Sequence, residues 1–342
     1  GSGWTEDAAA AIGDWAERIG LPVSLSFRRK DILSNARSNY AGDLGLGCNP
    51  KLTARAKAAD LIIAIGARLG ENPTQGYTLF DRARTADTLI HIHPGAEELG
   101  RVWTPLMSAT ADNSLAARAL STIDPGRAWH DEAATAHADY QAFSTPVPVT
   151  GAVNMSECMA HLHDSLPPTA IVTNGAGNFA AWLHRFYRHR ACRTQLAPTS
   201  GAMGYGYPAA LAAKSVHPDR EVICIAGDGD YLMTGQEIAT AVQYGINVVV
   251  VVVDNGTYGT IRMHQETHYP GAARTMATDL VNPDFVRYAE AFGAFGIRCE
   301  TTADFPAALL AARNAGRPAL VHLITSAEDI APNRTITGLR AT

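Results

Sequence analysis

The sequence predicts an α/β protein of two doubly wound parallel-sheet domains, the first of them Rossmann-like. Short apolar runs alternate with stretches of helical periodicity, and glycine-rich loops follow the ends of several runs. Between 221 and 257 an apolar run, a helix and a second apolar run form one complete strand-helix-strand unit. The first domain is expected over residues 1–125 and the second over 151–342, joined by a connection at 126–150.

In the first domain, helical periodicity at 6–19 leads to a strand at 23–27. A helix at 50–59 with a proline at its start, a strand at 61–65, a helix near 75–84 and a strand at 88–93 follow. Pro125-Gly126, a polar helix-like stretch at 128–142 and Thr145-Pro146-Val147-Pro148 read as the connection. The second domain continues with helix 154–165, strand 169–173, helix 178–187, strand 193–197 and helix 207–215. Beyond the unit at 221–257 it has helix 283–292, strand 295–300, helix 303–315 and strand 318–324. No internal repeat or low-complexity tract interrupts the pattern.

The unit at 221–257 carries the clearest chemistry. Its first run ends in Gly227-Asp228-Gly229 and its second, apolar on both faces as a central parallel strand should be, ends in Asp254-Asn255. Parallel strands joined this way finish at one edge of the sheet, so the Asp228 carboxylate and the Asn255 amide are brought together. Two oxygen donors with room for a phosphate suit a hard cation such as Mg²⁺. Gly227 and Gly229 permit a sharp turn and close approach to a ligand. Thr234 and Glu237 read as a capping box opening the intervening helix, with Gly245 closing it. A glycine-aspartate-glycine turn by itself is ordinary loop chemistry; its place in this unit makes it specific.

A net charge of −5 gives no electrostatic footprint for nucleic acid, and 46% apolar against 18% charged residues in 342 can fill two cores. Cysteines 48, 158, 192, 224 and 299 form no CxxC pair, so reduced thiols are expected rather than disulfides or a zinc site. The longest apolar run, 246–253, is strand-length, and neither a membrane span nor a secretory signal is visible, so a cytoplasmic location is expected. His91 and His93 share one strand face, but the sequence places no carboxylate or cysteine beside them, so surface or pocket histidines are expected rather than a metal site.

Gly227-Asp228-Gly229, a spacer of 24 residues and Asp254-Asn255 resemble the thiamine-diphosphate motif, whose usual ending is Asn-Asn. Ser200-Gly201-Ala202-Met203-Gly204-Tyr205-Gly206-Tyr207-Pro208 is similar to the segment of acetolactate synthase-like enzymes that places a large apolar side chain under the bent cofactor. The resemblance spans nearly the whole chain and implies a central domain followed by a diphosphate-binding domain. It implies that Asp228 and Asn255 bind Mg²⁺ by side chains and Thr257 by its carbonyl, and that Met203 props the cofactor rings. Asn174, Gly175 and Asn178 would form another loop at the diphosphate, with Gly227, Gly229, Asp230, Tyr231 and Tyr258 completing the cofactor site. Gly42–Gly47 and Gly66–Gly70 are similar to loops that hold FAD or a nucleotide, yet related flavin-binding members carry aspartates where this chain has His91 and His93. FAD or a nucleotide is therefore as readily absent as present.

The resemblance also implies an activity: cleavage or formation of a C–C bond in a small 2-keto acid, by a carboligase, decarboxylase or lyase. His264, on the approach to the cofactor, is a candidate for proton transfer. The tryptophan that acetolactate synthases carry near this position is not here, so pyruvate self-condensation does not follow. The family's N-terminal pyrimidine-binding domain, with its catalytic glutamate, has no counterpart in this sequence. Gly1-Ser2-Gly3-Trp4 resembles the turn after the first central-domain strand, so a C-terminal portion of a longer polypeptide is expected, inactive alone. The missing domain would come from the same gene or a separate chain, in a homodimer or homotetramer. The alternatives are a non-catalytic nucleotide- or diphosphate-binding module or regulatory fragment, and a metal-dependent phosphohydrolase using Asp228.

Overall fold

The computed structural model describes residues 1–269 and 275–341. The chain forms two compact units: Gly1–Ser144 with His189–Arg193, and Thr145–Arg188 with Thr194–Thr342.

In the first unit, helix α1 (Glu6–Arg18) starts where the Thr5 hydroxyl accepts from Ala8 N, with Glu6 and Asp7 in its first turn and Arg18 in its last, as the helix dipole favours. Strands β1 (Val23–Ser26) and β2 (Tyr40–Leu44) pair in parallel. A second parallel sheet holds β3 (Ile62–Ile65), β4 (Leu89–His93) and β5 (Met107–Thr110) in that order. The helices are α2 (Pro50–Ala58), α3 (Arg82–Thr88), α4 (Asn113–Ser121) and α5 (His130–Phe143). Ile12, Trp15 and Ile19 of the α1 region pack with Ala117 of α4.

Four features depart from the sequence reading. The helix expected at 75–84 is displaced to α3, because Gln75 and Tyr77 adopt φ of +54° and +63° and the Asp81 side chain caps Ala83 N. Strands β2 and β5 were not anticipated: β2 contains small and polar residues, and β5 is exposed at every position. Gly42-Asp43-Leu44, read as a ligand loop, belongs to β2. The expected connection contains α5, whose Ala133, Ala136 and Tyr140 are buried in the first unit, with Tyr140 edge-on to Tyr40 at 4.7 Å between ring centres.

The second unit is a six-stranded parallel sheet ordered β10-β11-β9-β8-β6-β7. Its strands are β6 (Ile171–Asn174), β7 (Gln195–Leu196), β8 (Val222–Gly227), β9 (Val249–Asp254), β10 (Phe295–Cys299) and β11 (Ala319–Ile324). The helices are α6 (Met155–Ser165), α7 (Phe179–Phe186), α8 (Gly206–Val216), α9 (Asp228–Tyr231), α10 (Ile238–Tyr244), α11 (Gly259–His268), α12 (Phe285–Ala291), α13 (Phe305–Arg313) and α14 (Ile336–Arg340). Alternate strand residues feed two cores. Ile223, Ile225, Val251 and Val321 pack with α6, α7 and α13, whereas Cys224, Val250, Val252 and Leu320 pack with α8, α10 and α12. Helices on both faces of a parallel sheet make this unit doubly wound.

The expected capping box does not form. The Thr234 hydroxyl donates to the Gly204 carbonyl at 2.8 Å, and a 3₁₀ turn at Gly235–Glu237 leads into α10, which Gly245 closes at φ +63°. The five cysteines are unpaired. Among the described residues no helix is long and apolar enough to cross a membrane.

Candidate functional site

Gly227 of β8 lies opposite Val253 of β9, so the residues that follow each strand, Asp228 and Asn255, emerge at one carboxyl edge. A cleft of about 250 Å³ opens there. Its lining includes Asn178, Met203, Gly227, Asp228, Gly229, Asp230, Asn255, Thr257 and Tyr258.

The Asp228 carboxylate is buried. Its Oδ1 accepts from Gly229 N at 2.8 Å, and its Oδ2 accepts from Gly256 N at 2.9 Å and Asn282 Nδ2 at 2.8 Å. A carboxylate accommodates about four donors, so capacity for one more remains toward the cleft. Among the described residues no lysine, arginine or histidine forms an ion pair with it. Burial, with a smaller push from the Asp254 charge, raises its pKa from 3.8 to about 6 against the pull of Asn282 and Gly229. A buried carboxylate without a counter-charge is what a bound cation would relieve.

Asn255 Oδ1 accepts from Thr257 N at 3.2 Å, and the Thr257 hydroxyl donates to the Thr278 carbonyl at 2.9 Å, so among the polar atoms of Thr257, which lines the cleft, the carbonyl oxygen is the one these bonds do not use. Helix α11 begins at the same wall: Tyr258, Gly259, Thr260 and Ile261 line the cleft, and no side chain caps the helix. Uncapped N–H groups at a helix start, with the positive end of its dipole, form an anion site. A carboxylate and an amide for a hard cation beside an open helix N-terminus for phosphate therefore fit a metal–diphosphate ligand. Among the described residues no group of three His, Cys, Asp or Glu side chains stands ready for a metal, so any cation here would also need amide, carbonyl or phosphate oxygens.

Other sequence candidates serve the scaffold. Asp230 Oδ1 accepts from Gly204 N at 2.8 Å and Ala176 N at 3.2 Å, tying the Met203 loop to the loop after β6. Gly175 is required there, since a Cβ on it would stand 2.0 Å from that oxygen. Asn174 is buried behind the cleft, its Nδ2 donating to the Gly175 carbonyl at 2.7 Å. Asn178 lines the cleft, but its Nδ2 donates to the Ile330 carbonyl at 2.9 Å and its Oδ1 accepts from the Thr260 hydroxyl at 2.9 Å. It organises the wall.

Besides Asn174 and Gly175, two further candidates lie outside the cleft lining. Tyr231 is a core residue, with ring centres 5.5 Å from Tyr207 and 5.8 Å from Phe285. His264 is exposed on α11 and stacks on His268 at 5.9 Å, because the cleft takes only the first turn of that helix. In the first unit both His91 and His93 are buried rather than at the surface. His91 Nε2 lies 2.8 Å from the Ala67 carbonyl, and His93 Nδ1 accepts from Gly95 N at 3.0 Å. Sequence reasoning missed Asn282, distant in the chain and marked only by the turn dipeptide Asn282-Pro283, and His322, a lone polar residue in an apolar strand.

The raised pKa of Asp228 has a measurable consequence. A carboxyl lifted from 3.8 to about 6 favours the folded chain while protonated, and that advantage, roughly 3 kcal/mol, is lost as pH rises through this window. The stability difference between wild type and Asp228→Ala in metal-free buffer should shift by about this amount between pH 4 and pH 7, to the detriment of wild type. Parallel urea curves across that range would contradict it.

Both units of the chain resemble known protein families. Residues 1–120 match the family "Thiamine pyrophosphate enzyme, central domain" and residues 175–323 match "Thiamine pyrophosphate enzyme, C-terminal TPP binding domain". The chain is 32% identical to the acetolactate synthase large subunit of Parasynechococcus marenigrum (strain WH8102), over 83% of this chain and 46% of that protein. It is 27% identical to the acetolactate synthase isozyme 1 large subunit of Escherichia coli (strain K12), over 94% of this chain and 57% of that protein. The chain spans about half the length of the curated relatives it matches. Both of its units are thus accounted for by one family, and the chain belongs to the acetolactate synthase-like thiamine pyrophosphate enzymes, of which it carries the central and C-terminal domains.

Proposed function

We propose that the second unit holds thiamine diphosphate through Mg²⁺ and that the chain serves an enzyme that cleaves or forms a C–C bond in a small 2-keto acid. The supporting observation is the convergence of Asp228, Asn255 and Thr257 on a cleft shared with Met203 and the start of α11. When bound, the cofactor supplies a nucleophilic carbon and an electron sink. The chain's own residues bind and orient. Asp228 and Asn255 would hold the cation by their side chains and Thr257 by its backbone, while the first turn of α11 receives the diphosphate. Met203 would brace the rings, and Phe179, Trp182, Val253 and Ile330 form an apolar wall that excludes water. A pyrimidine-binding domain, from the same gene or a separate chain, would complete the site in a cytoplasmic homodimer or homotetramer.

Calorimetric titration of thiamine diphosphate tests the reading. Saturable binding is expected in Mg²⁺, and at least about tenfold weaker binding after chelation, because the diphosphate then faces the Asp228 carboxylate without a shared cation. Equal affinity with and without the metal would refute the assignment.

A further inference from the structure

Behind the cation side of the cleft, two carboxylates share the same two donors. Asp228 Oδ2 accepts from Gly256 N at 2.9 Å and Asn282 Nδ2 at 2.8 Å; Asp254 Oδ1 accepts from Gly256 N at 3.0 Å and Asn282 Nδ2 at 2.7 Å. The Asn282 amide thus spends its hydrogens on two aspartates, and its own oxygen is buried without a partner among the described residues. Asp254 is held from the other side. Its Oδ2 lies 2.8 Å from Nε2 of His322, a buried β11 residue whose ring meets Phe285 edge-on at 5.1 Å.

This arrangement determines which way the amide faces. A side-chain amide between two oxygen acceptors can satisfy both only with its NH₂ end, and an amide turned over would set its oxygen against two carboxylates. The unpartnered Asn282 oxygen is the cost of that choice. Gly256 N is held in the same way, so the peptide that follows Asn255 is fixed along with Asp228 Oδ2. Asp254 stands where the motif that this segment resembles usually has an asparagine, so what this chain has at the position is a charged acceptor in place of an amide oxygen.

We propose that Asp254, anchored by His322, is a positioning residue: through Asn282 and Gly256 it fixes the Asp228 carboxylate and the Asn255 loop in the arrangement that receives a divalent cation. The proposal rests on the reading that Asp228 holds that cation. Groups that orient metal ligands in this way typically change metal affinity by about 10- to 100-fold when removed.

Mn²⁺ titration of the full chain in the presence of thiamine diphosphate, followed by the paramagnetic resonance signal of the free ion, tests it. Wild type should saturate and Asp228→Ala should bind far more weakly. Asp254→Ala should lose about 10- to 100-fold in Mn²⁺ affinity. Asp254→Asn, which keeps an oxygen for Asn282 and Gly256, should recover most of that loss. Asn282→Ala should weaken binding similarly, and the Asp254→Ala/Asn282→Ala double variant should be no worse than the weaker single one, because both act on one carboxylate. Wild-type affinity in Asp254→Ala or in Asn282→Ala, with binding still dependent on Asp228, overturns the proposal and leaves the cation reading standing. Mn²⁺ binding that ignores Asp228→Ala sinks both. Thermal melting of each variant separates lost affinity from lost fold; if Asp254→Ala does not fold, Asn282→Ala decides.

Discussion

Replacing Asp228 by alanine should abolish metal-dependent binding of thiamine diphosphate, weakening it by at least about 100-fold, and leave the fold intact. The magnitude follows from position: removing a group that merely orients a ligand costs up to about 100-fold, and removing a ligand itself should cost no less. The fold should survive because two effects oppose each other. The variant frees Gly229 N, Gly256 N and Asn282 Nδ2 from one acceptor, but Asp254 still accepts from the last two. It also removes a buried carboxylate that has no cation among the described residues. Calorimetry with Mg²⁺ and thiamine diphosphate measures the first effect and circular dichroism the second. Unchanged cofactor affinity in a folded variant would remove Asp228 from the site.

Gly175→Ala should destabilise the protein by at least about 3 kcal/mol. The new Cβ would lie 2.0 and 2.1 Å from the two carboxylate oxygens of Asp230 and 2.3 Å from its Cγ. Asp230 is buried and short, so it cannot swing clear without leaving Gly204 N and Ala176 N. The cost combines overpacking with the loss of donors to a buried charge, each worth about 1–3 kcal/mol. Since the two loops it joins carry Met203 and Asn178, cofactor affinity should fall too. Gly47→Ala is the control: its φ of +70° is strained for alanine, but nothing stands within 4 Å of the added Cβ, so it should cost about 1 kcal/mol. Equal urea midpoints for the two variants would contradict the packing argument.

The parts of this protein that the sequence discloses share a physical cause. Strands buried on both faces, such as β8 and β9, must be apolar throughout, and that run is visible without any structure. Because parallel strands joined by a helix end at one edge, Asp228 and Asn255 could be brought together from their places in the chain alone. Edge and short strands carry no such constraint. β5 is exposed throughout and β2 includes Gly42 and Asp43, so neither stands out from a loop. Helix α5 was visible as a helix but not as part of the first unit, since its buried face is only Ala133, Ala136 and Tyr140.

Site residues divide in the same way. Gly227, Asp228 and Asn255 follow from local pattern and Thr257 from the family resemblance, and the cleft contains all four. Which way a side chain turns once there does not follow. Thr234 and Glu237 have the spacing of a capping box, yet the Gly204 carbonyl, brought near by folding, takes the threonine hydroxyl. Tyr231, three residues after Asp228, turns into the aromatic core, and His264 lies past the one turn of α11 that reaches the cleft. The sequence by itself determined the doubly wound architecture and the meeting of Asp228 and Asn255 at a sheet edge, because these depend on strand burial and on spacing along one segment. Tertiary structure alone decided that Asn282 and His322 stand behind Asp228, that Asp230 braces two loops and that Gly175 must be glycine. Each of these depends on groups far apart in the chain competing for the same few ångströms of buried, polar space.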